Sequence, residues 1–161
     1  MNKVFLFFIF VVLSACQNQQ NAPALPVKNI VETSIAEVKT TLDAFGKAYG
    51  DNDNEAFQAF LHKDIIVYGT DPSEAWPYDV FKNHIPETTK QNLPKLTLKN
   101  LNSIHISNDG STACIIREVE WKPIFENSLR QTIMMEKIDG SWKVKMISLA
   151  HLLPNKGAEE K

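Results

Sequence analysis

An α+β domain, a curved antiparallel sheet with about three N-terminal helices packed on one face, is the fold class that the sequence predicts. Three observations predict it. Apolar residues recur at helical spacing from Val31 to Tyr49, and they alternate at strand spacing from Leu93 onward. Two Asp-Gly pairs, Asp109-Gly110 and Asp139-Gly140, divide that second region into hairpins. Helices gathered ahead of the strands cannot form repeated βαβ units, so one sheet must carry them on a single face. A sheet curved in this way forms a cone, with a pocket between sheet and helices.

The elements follow in order. Val31, Ile35, Val38, Leu42, Phe45 and Tyr49 make one helical stripe, which predicts a helix over about 30–50 ended by Gly50-Asp51-Asn52. Asp53 is placed to cap a second, short helix whose Phe57, Phe60 and Leu61 share a face. Asp64 to Thr70, with Ile65-Ile66-Val67-Tyr68 inside it, reads as a strand, and Thr70-Asp71-Pro72-Ser73 as a turn. Pro77 starts a third helix carrying Val80, Phe81 and Ile85, which Pro86 ends or kinks. Strands follow near 95–107, 111–122, 128–138 and 141–152. Both Asp-Gly pairs are read as type I′ turns with positive φ, and Pro123 belongs at a bulge or strand end.

Composition bounds the partners. The chain has 161 residues, with 17 Lys+Arg against 19 Asp+Glu, so it offers no basic surface for nucleic acid. Hydrophobic residues at 43% support one domain with a real core. The four histidines are scattered without metal-ligand spacing, and neither a phosphate loop nor a G-x-S-x-G motif is present, so no metal or cofactor is expected.

The N-terminus reads as an address. Lys3 precedes ten consecutive apolar residues, Val4 to Leu13, which as a helix span about 15 Å, half of a bilayer core. Leu13-Ser14-Ala15-Cys16 then resembles the lipobox of bacterial lipoproteins. The resemblance implies a signal peptide over 1–15 and a lipidated Cys16, because several acyl chains anchor where one does not. Residues 16–28 form the lipidated cysteine and a flexible Gln/Asn/Pro tether, 29–155 the domain, and 156–161 a disordered tail. By the resemblance to enterobacterial lipoproteins, Gln17 after the cysteine favours the outer membrane, facing the periplasm. Cys114, left without a partner, reads as a small buried hydrophobe.

Within 31–150 the chain resembles the SnoaL-like branch of the nuclear transport factor 2-like superfamily. The matching features are Gly50-Asp51-Asn52-Asp53 after the long helix, Asp64-Ile65-Ile66-Val67-Tyr68-Gly69-Thr70, Glu74-Ala75-Trp76 before a helix, Arg130 opening a strand, and Asp139-Gly140-Ser141-Trp142-Lys143-Val144. The resemblance implies a cone-shaped pocket and, in many relatives, a homodimer built on the outer sheet face. Many relatives carry a pocket histidine in the last strand, where this chain has Ser148. The base and oxyanion donor of steroid-isomerase relatives fall near Gly69 and Phe45, which can do neither task.

The candidate pocket residues are Tyr68, Asp71, Glu74, Trp76, His84, Arg117, Arg130 and Ser148. Tyr68, Asp71, Glu74 and Trp76 would bind or protonate a small ligand at the rim, or serve as turn carboxylates and a core aromatic. Arg117 shares strand parity with Ala113, Ile115, Val119 and Trp121 and is expected to point inward, paired with Glu74 or Asp71 either to hold a loop shut, the favoured reading, or to bind an anionic ligand. Arg130, on the face of Thr132, Met134 and Glu136, is open to the same two readings. His84 lies over the pocket as a possible acid or base, or as a helix-surface histidine. The reading preferred from the sequence is a lipid-anchored domain that binds a small molecule or partner without catalysis. An acid–base enzyme using Tyr68, Asp71, Glu74 and His84, and a homodimeric interaction module, are the alternatives.

Overall fold

The computed structural model describes residues 27–91, 93–122 and 124–153. The expectations for the signal, the lipobox at Cys16, most of the tether, Pro123 and the tail lie outside these residues. The described elements are α1 (Val27–Asp51), α2 (Asn54–Ala59), β1 (Leu61–Tyr68), β2 (Ala75–Pro77), α3 (Tyr78–Phe81), α4 (His84–Lys90), β3 (Thr97–Ile106), β4 (Thr112–Glu120), β5 (Leu129–Ile138) and β6 (Ser141–His151). One six-stranded sheet runs in the order β2-β1-β6-β5-β4-β3.

Helix α1 buries Val38, Leu42 and Phe45 of the expected stripe, together with Ser34 and Ala48. It begins earlier than the stripe, because Val27, Lys28 and Asn29 are exposed and leave no apolar signal. Its C-terminus is a Schellman motif in which Asn52, at φ 60°, takes the left-handed position. Asn52 N–H donates to Tyr49 O and Asp53 N–H to Ala48 O. Lys95 adds a cap by donating to Tyr49 O at 2.5 Å and to Gly50 O at 2.8 Å, where the helix dipole favours a cation. Asp53 caps α2 as expected, its carboxylate accepting from Ala56 N–H at 3.0 Å.

The expected third helix is two short ones. The break falls at Lys82-Asn83 rather than at Pro86, which sits in the first turn of α4, where its missing N–H has no helical partner to lose. Residues Ala75–Pro77 form the edge strand β2, too short to show alternation. The sheet is mixed rather than wholly antiparallel: β1 lies parallel to β6, pairing Val67 with Ile147 and Tyr68 with Ser148. Apolar alternation reports which face a residue takes and is silent on strand direction. The four later strands pair antiparallel within two residues of their expected limits.

The two Asp-Gly turns differ. At Asp139-Gly140 both residues have positive φ, 48° and 78°, as a type I′ turn requires. At Asp109-Gly110 only the glycine does, at 70°, and Gly110 N–H donates to Ser107 O, so the loop is longer. A Cβ on Gly110 would stand 2.6 Å from Ile30 Cγ2 and 2.9 Å from Ser34 Oγ. Helix α1 therefore rests directly on this turn.

The core lies between α1, α2 and α3 on one side and Ile65, Val67, Ile115, Ile133, Met135, Val144 and Ile147 on the other. The outer sheet face carries a row of apolar side chains across three strands, from Ile66 to Met146 to Met134, with half-buried Cys114 beside it. Cys114 is thus an outer-face residue rather than a core one, because Ala113 and Ile115 take the inward positions.

Candidate functional site

The strand residues that point inward meet the aromatic faces of the helices around a cavity of about 310 Å³. Helix α1 contributes Phe45, Gly46 and Tyr49; α2 contributes Phe57; α3 and α4 contribute Phe81 and His84. The sheet supplies Val67, Trp76, Leu98, Arg117, Gln131, Ile147 and Leu149, and the segments just outside it supply Leu96 and Trp121. Most of this wall is apolar and aromatic. The rings support one another: Phe45 stacks on Phe57 at 4.9 Å between centroids, and Phe81 meets Phe57 at 5.6 Å.

Several polar groups interrupt the wall. His84 lies between Tyr49, at 5.9 Å, and Phe81, at 5.1 Å, near-parallel to both rings. Burial lowers its pKa, which keeps the ring neutral at neutral pH. Burial also raises the Tyr49 phenol. Trp121 spends its indole N–H on Pro94 O at 2.5 Å, pinning the segment before β3 over the cavity.

Arg117 and Gln131 also face the cavity, as direct neighbours across β4 and β5. Arg117 Nε donates to Gln131 Oε1 at 2.6 Å. Gln131 is buried, and desolvation pulls the Arg117 guanidinium down from its usual value, though arginine stays charged at any physiological pH. Among the described residues no carboxylate pairs with Arg117. None lines the cavity either.

The sequence candidates divide accordingly. Trp76, His84 and Arg117 line the cavity, and Arg117 points inward as its parity predicts. Its expected partner is corrected, since neither Glu74 nor Asp71 reaches it. Their carboxylates are consumed in the turn after β1: Asp71 accepts from Ser73 N–H at 2.8 Å and from the Ser73 hydroxyl, which lowers its pKa. Glu74 accepts from Asp71 N–H at 3.0 Å, and its carboxylate folds so tightly over Gly69 that a Cβ there would lie 2.0 Å from Oε2. Tyr68 is 43% exposed on the outer face, where it pairs with Ser148, and Val67 takes the inward place. Arg130 is exposed on that same outer face, with Gln131 inward.

Ser148 is displaced by a bulge. Met134 pairs with Met146 and Met135 with Val144, so Lys145 is an extra residue and parity reverses beyond it. Trp142 and Val144 point in on one side of the bulge, Ile147 and Leu149 on the other. The place of a pocket histidine is thus held by aliphatic residues. The sequence reading missed Gln131, although its place between Leu129 and Ile133 on the buried parity marks it.

A curved sheet closed by helices over an apolar cavity defines a class of fold that binds small molecules and in some members acts as an isomerase or dehydratase. The particular family follows from the sequence. Residues 38–151 match the SnoaL-like domain, and the chain belongs to that family. Similar solved structures include a protein assigned as a scytalone dehydratase from Novosphingobium aromaticivorans, 16% identical, covering 78% of this chain and 89% of that one, with a TM-score of 0.63. A nuclear transport factor 2-like protein of unknown function from Pseudomonas putida is 13% identical over 78% and 91%, with a TM-score of 0.59. A nuclear transport factor 2-like protein from Cytophaga hutchinsonii is 18% identical over 71% and 95%, with a TM-score of 0.57. At these identities the likeness is one of fold. No curated protein matches the chain.

Proposed function

We propose that this chain is a lipid-anchored protein of the bacterial envelope whose SnoaL-like domain holds a small, largely apolar molecule in its cavity without transforming it. The observation that carries the reading is the cavity itself: an aromatic wall, a few fixed polar groups, and no carboxylate along it. The acid–base set that the enzymatic alternative needs is dispersed. Tyr68 lies on the outer face, Asp71 and Glu74 are held in a turn, and His84 alone reaches the cavity. The outer apolar row of Ile66, Met146 and Met134 supports pairing of two copies through that face. Among the described residues no helix is long and apolar enough to cross a membrane, so the anchor rests on the motif at Cys16.

Fractionating cells that express the full chain tests the anchor: Cys16→Ser should move the protein out of the membrane fraction, and retention there would overturn it. Small molecules released by denaturing the detergent-purified chain test the cavity. Gly46 lines the cavity and has open space around its Cβ position, so Gly46→Leu should fill part of the cavity at little cost to the fold. A compound carried by the native chain and missing from Gly46→Leu supports the reading. An identical set of compounds from both overturns it, and conversion of the recovered compound on incubation transfers the case to the enzymatic alternative.

A further inference from the structure

Arg117 is the charge in the cavity that the chain leaves unanswered. A guanidinium taken out of water is costly unless a counter-charge meets it. Its one side-chain partner among the described residues is the Gln131 carbonyl oxygen, a neutral acceptor. That bond fixes two things at once. It uses Arg117 Nε, leaving both terminal nitrogens free of protein acceptors among the described residues, and it turns the Gln131 amide so that Nε2 remains a donor. The amide group and the guanidinium fork therefore present only donors to the same space, on adjacent strands whose register holds them side by side. Trp121, which also lines the cavity, has spent its N–H on Pro94 O. Tyr49 and His84 are neutral at neutral pH by the burial described above, so the lining carries a single positive charge.

A donor-only cluster with one net charge in an apolar, aromatic cavity selects its occupant by charge count and by shape. One anionic charge neutralises the guanidinium; a second, as on a phosphate monoester, would be stranded among Phe45, Phe57 and Leu149. A planar carboxylate matches the guanidinium fork with two parallel bonds. The volume sits at the low end of the ~300–1,000 Å³ typical of ligand pockets, which favours a compact molecule. The rings of Phe45, Phe57 and Trp76 suit a flat body.

We propose that the cavity takes a small monoanionic carboxylic acid, its carboxylate on Arg117 and Gln131 and its apolar, ring-bearing body against the aromatic wall. This rests on the binding reading above and names the ligand class for the same site.

Isothermal titration of the full chain in detergent with cinnamate, cinnamamide and 3-phenylpropylamine separates the two. Cinnamate should bind about tenfold to a hundredfold more tightly than cinnamamide, the range expected for a charge-assisted pair, and the amine should not bind. Arg117→Met should abolish that preference while keeping the amide. Gln131→Glu supplies an internal carboxylate to Arg117, so it should remove cinnamate binding in a chain that unfolds no earlier than the native one. It therefore serves if Arg117→Met fails to fold. Equal affinity for acid and amide, or cinnamate binding that survives Gln131→Glu, overturns the carboxylate assignment and leaves the cavity reading standing. Failure of all three probes to bind overturns both.

Discussion

Glu37 and Arg117 are charged side chains at opposite ends of the space between α1 and the sheet, and the chain treats them in opposite ways. The Glu37 carboxylate accepts from Lys137 Nζ at 2.6 Å and from Trp142 Nε1 at 3.0 Å, and these two donors lower its pKa. Lys137 in turn lies 5.8 Å from the centre of the Trp142 ring. At that end the turn at Gly110 presses on α1, and the type I′ hairpin at Asp139-Gly140 brings Trp142 under it. At the other end Arg117 has one neutral acceptor and a cavity. A charge with its partners in place ties elements together; a desolvated charge without them marks room for something that the chain does not supply. One end is finished architecture, and the other is a receptacle.

The difference can be broken most forcefully at the finished end. Gly110→Ala adds a Cβ at φ 70° and drives it against Ile30 and Ser34. The strained backbone and the displaced helix should together cost about 2–3 kcal/mol, read as the shift in a urea unfolding midpoint. Gly46→Ala, at the cavity end of the same helix, should be neutral or slightly stabilising, because nothing lies within 4 Å of its Cβ position. Equal losses at the two glycines would refute the idea that the ends differ in tightness.

A smaller effect, unequal at the two charges, sharpens the comparison. Glu37→Ala leaves the buried Trp142 N–H without an acceptor and frees Lys137, and should cost about 1–2 kcal/mol, tempered by the partial exposure of the carboxylate. Arg117→Met removes a desolvated charge that nothing on the chain neutralises but also leaves the buried Gln131 carbonyl oxygen without its donor, so the two effects offset and stability should change by less than about 1 kcal/mol. Destabilisation by Arg117→Met on the scale of Glu37→Ala would mean that the arginine is structural.

Much of this contrast is legible in the sequence, and the illegible part has identifiable causes. Arg117 could be placed inward because Ala113, Ile115 and Val119 share its parity, and all three are buried. Tyr68 could not be placed, because Ile65-Ile66-Val67-Tyr68 is apolar at both parities and offers no alternation to read. Ser148 was beyond reach for a different reason: one extra residue at Lys145 reverses the face of everything after it, and neither composition nor period announces a bulge. The partner of Arg117 was misjudged because sequence places Glu74 and Asp71 nearby without showing that local backbone N–H groups claim both carboxylates first. Likewise the parallel pairing of β1 with β6 arises because the chain crosses by way of α3 and α4 to the far edge at β3 and returns through β4 and β5, a path that no local pattern encodes.

The smallest expected effect concerns the neutral ring at the receptacle. Burial holds the His84 pKa below its ordinary value of 6.5, so as pH falls the unfolded chain takes up this proton before the folded one does. The stability gained from keeping the ring neutral is therefore complete above 6.5 and is lost as pH falls through that value toward the lower folded one. His84→Phe keeps an aromatic surface between Tyr49 and Phe81 and removes the proton. Between pH 7.5 and 5.5 the native chain should lose a few degrees more of Tm than the variant. Glu37 cannot mimic the result, because its lowered carboxylate pKa moves its own loss to more acid pH and is common to both proteins. Parallel pH profiles for the two chains would show that the ring titrates as freely folded as unfolded, and that the cavity end is wetter than its aromatic wall implies.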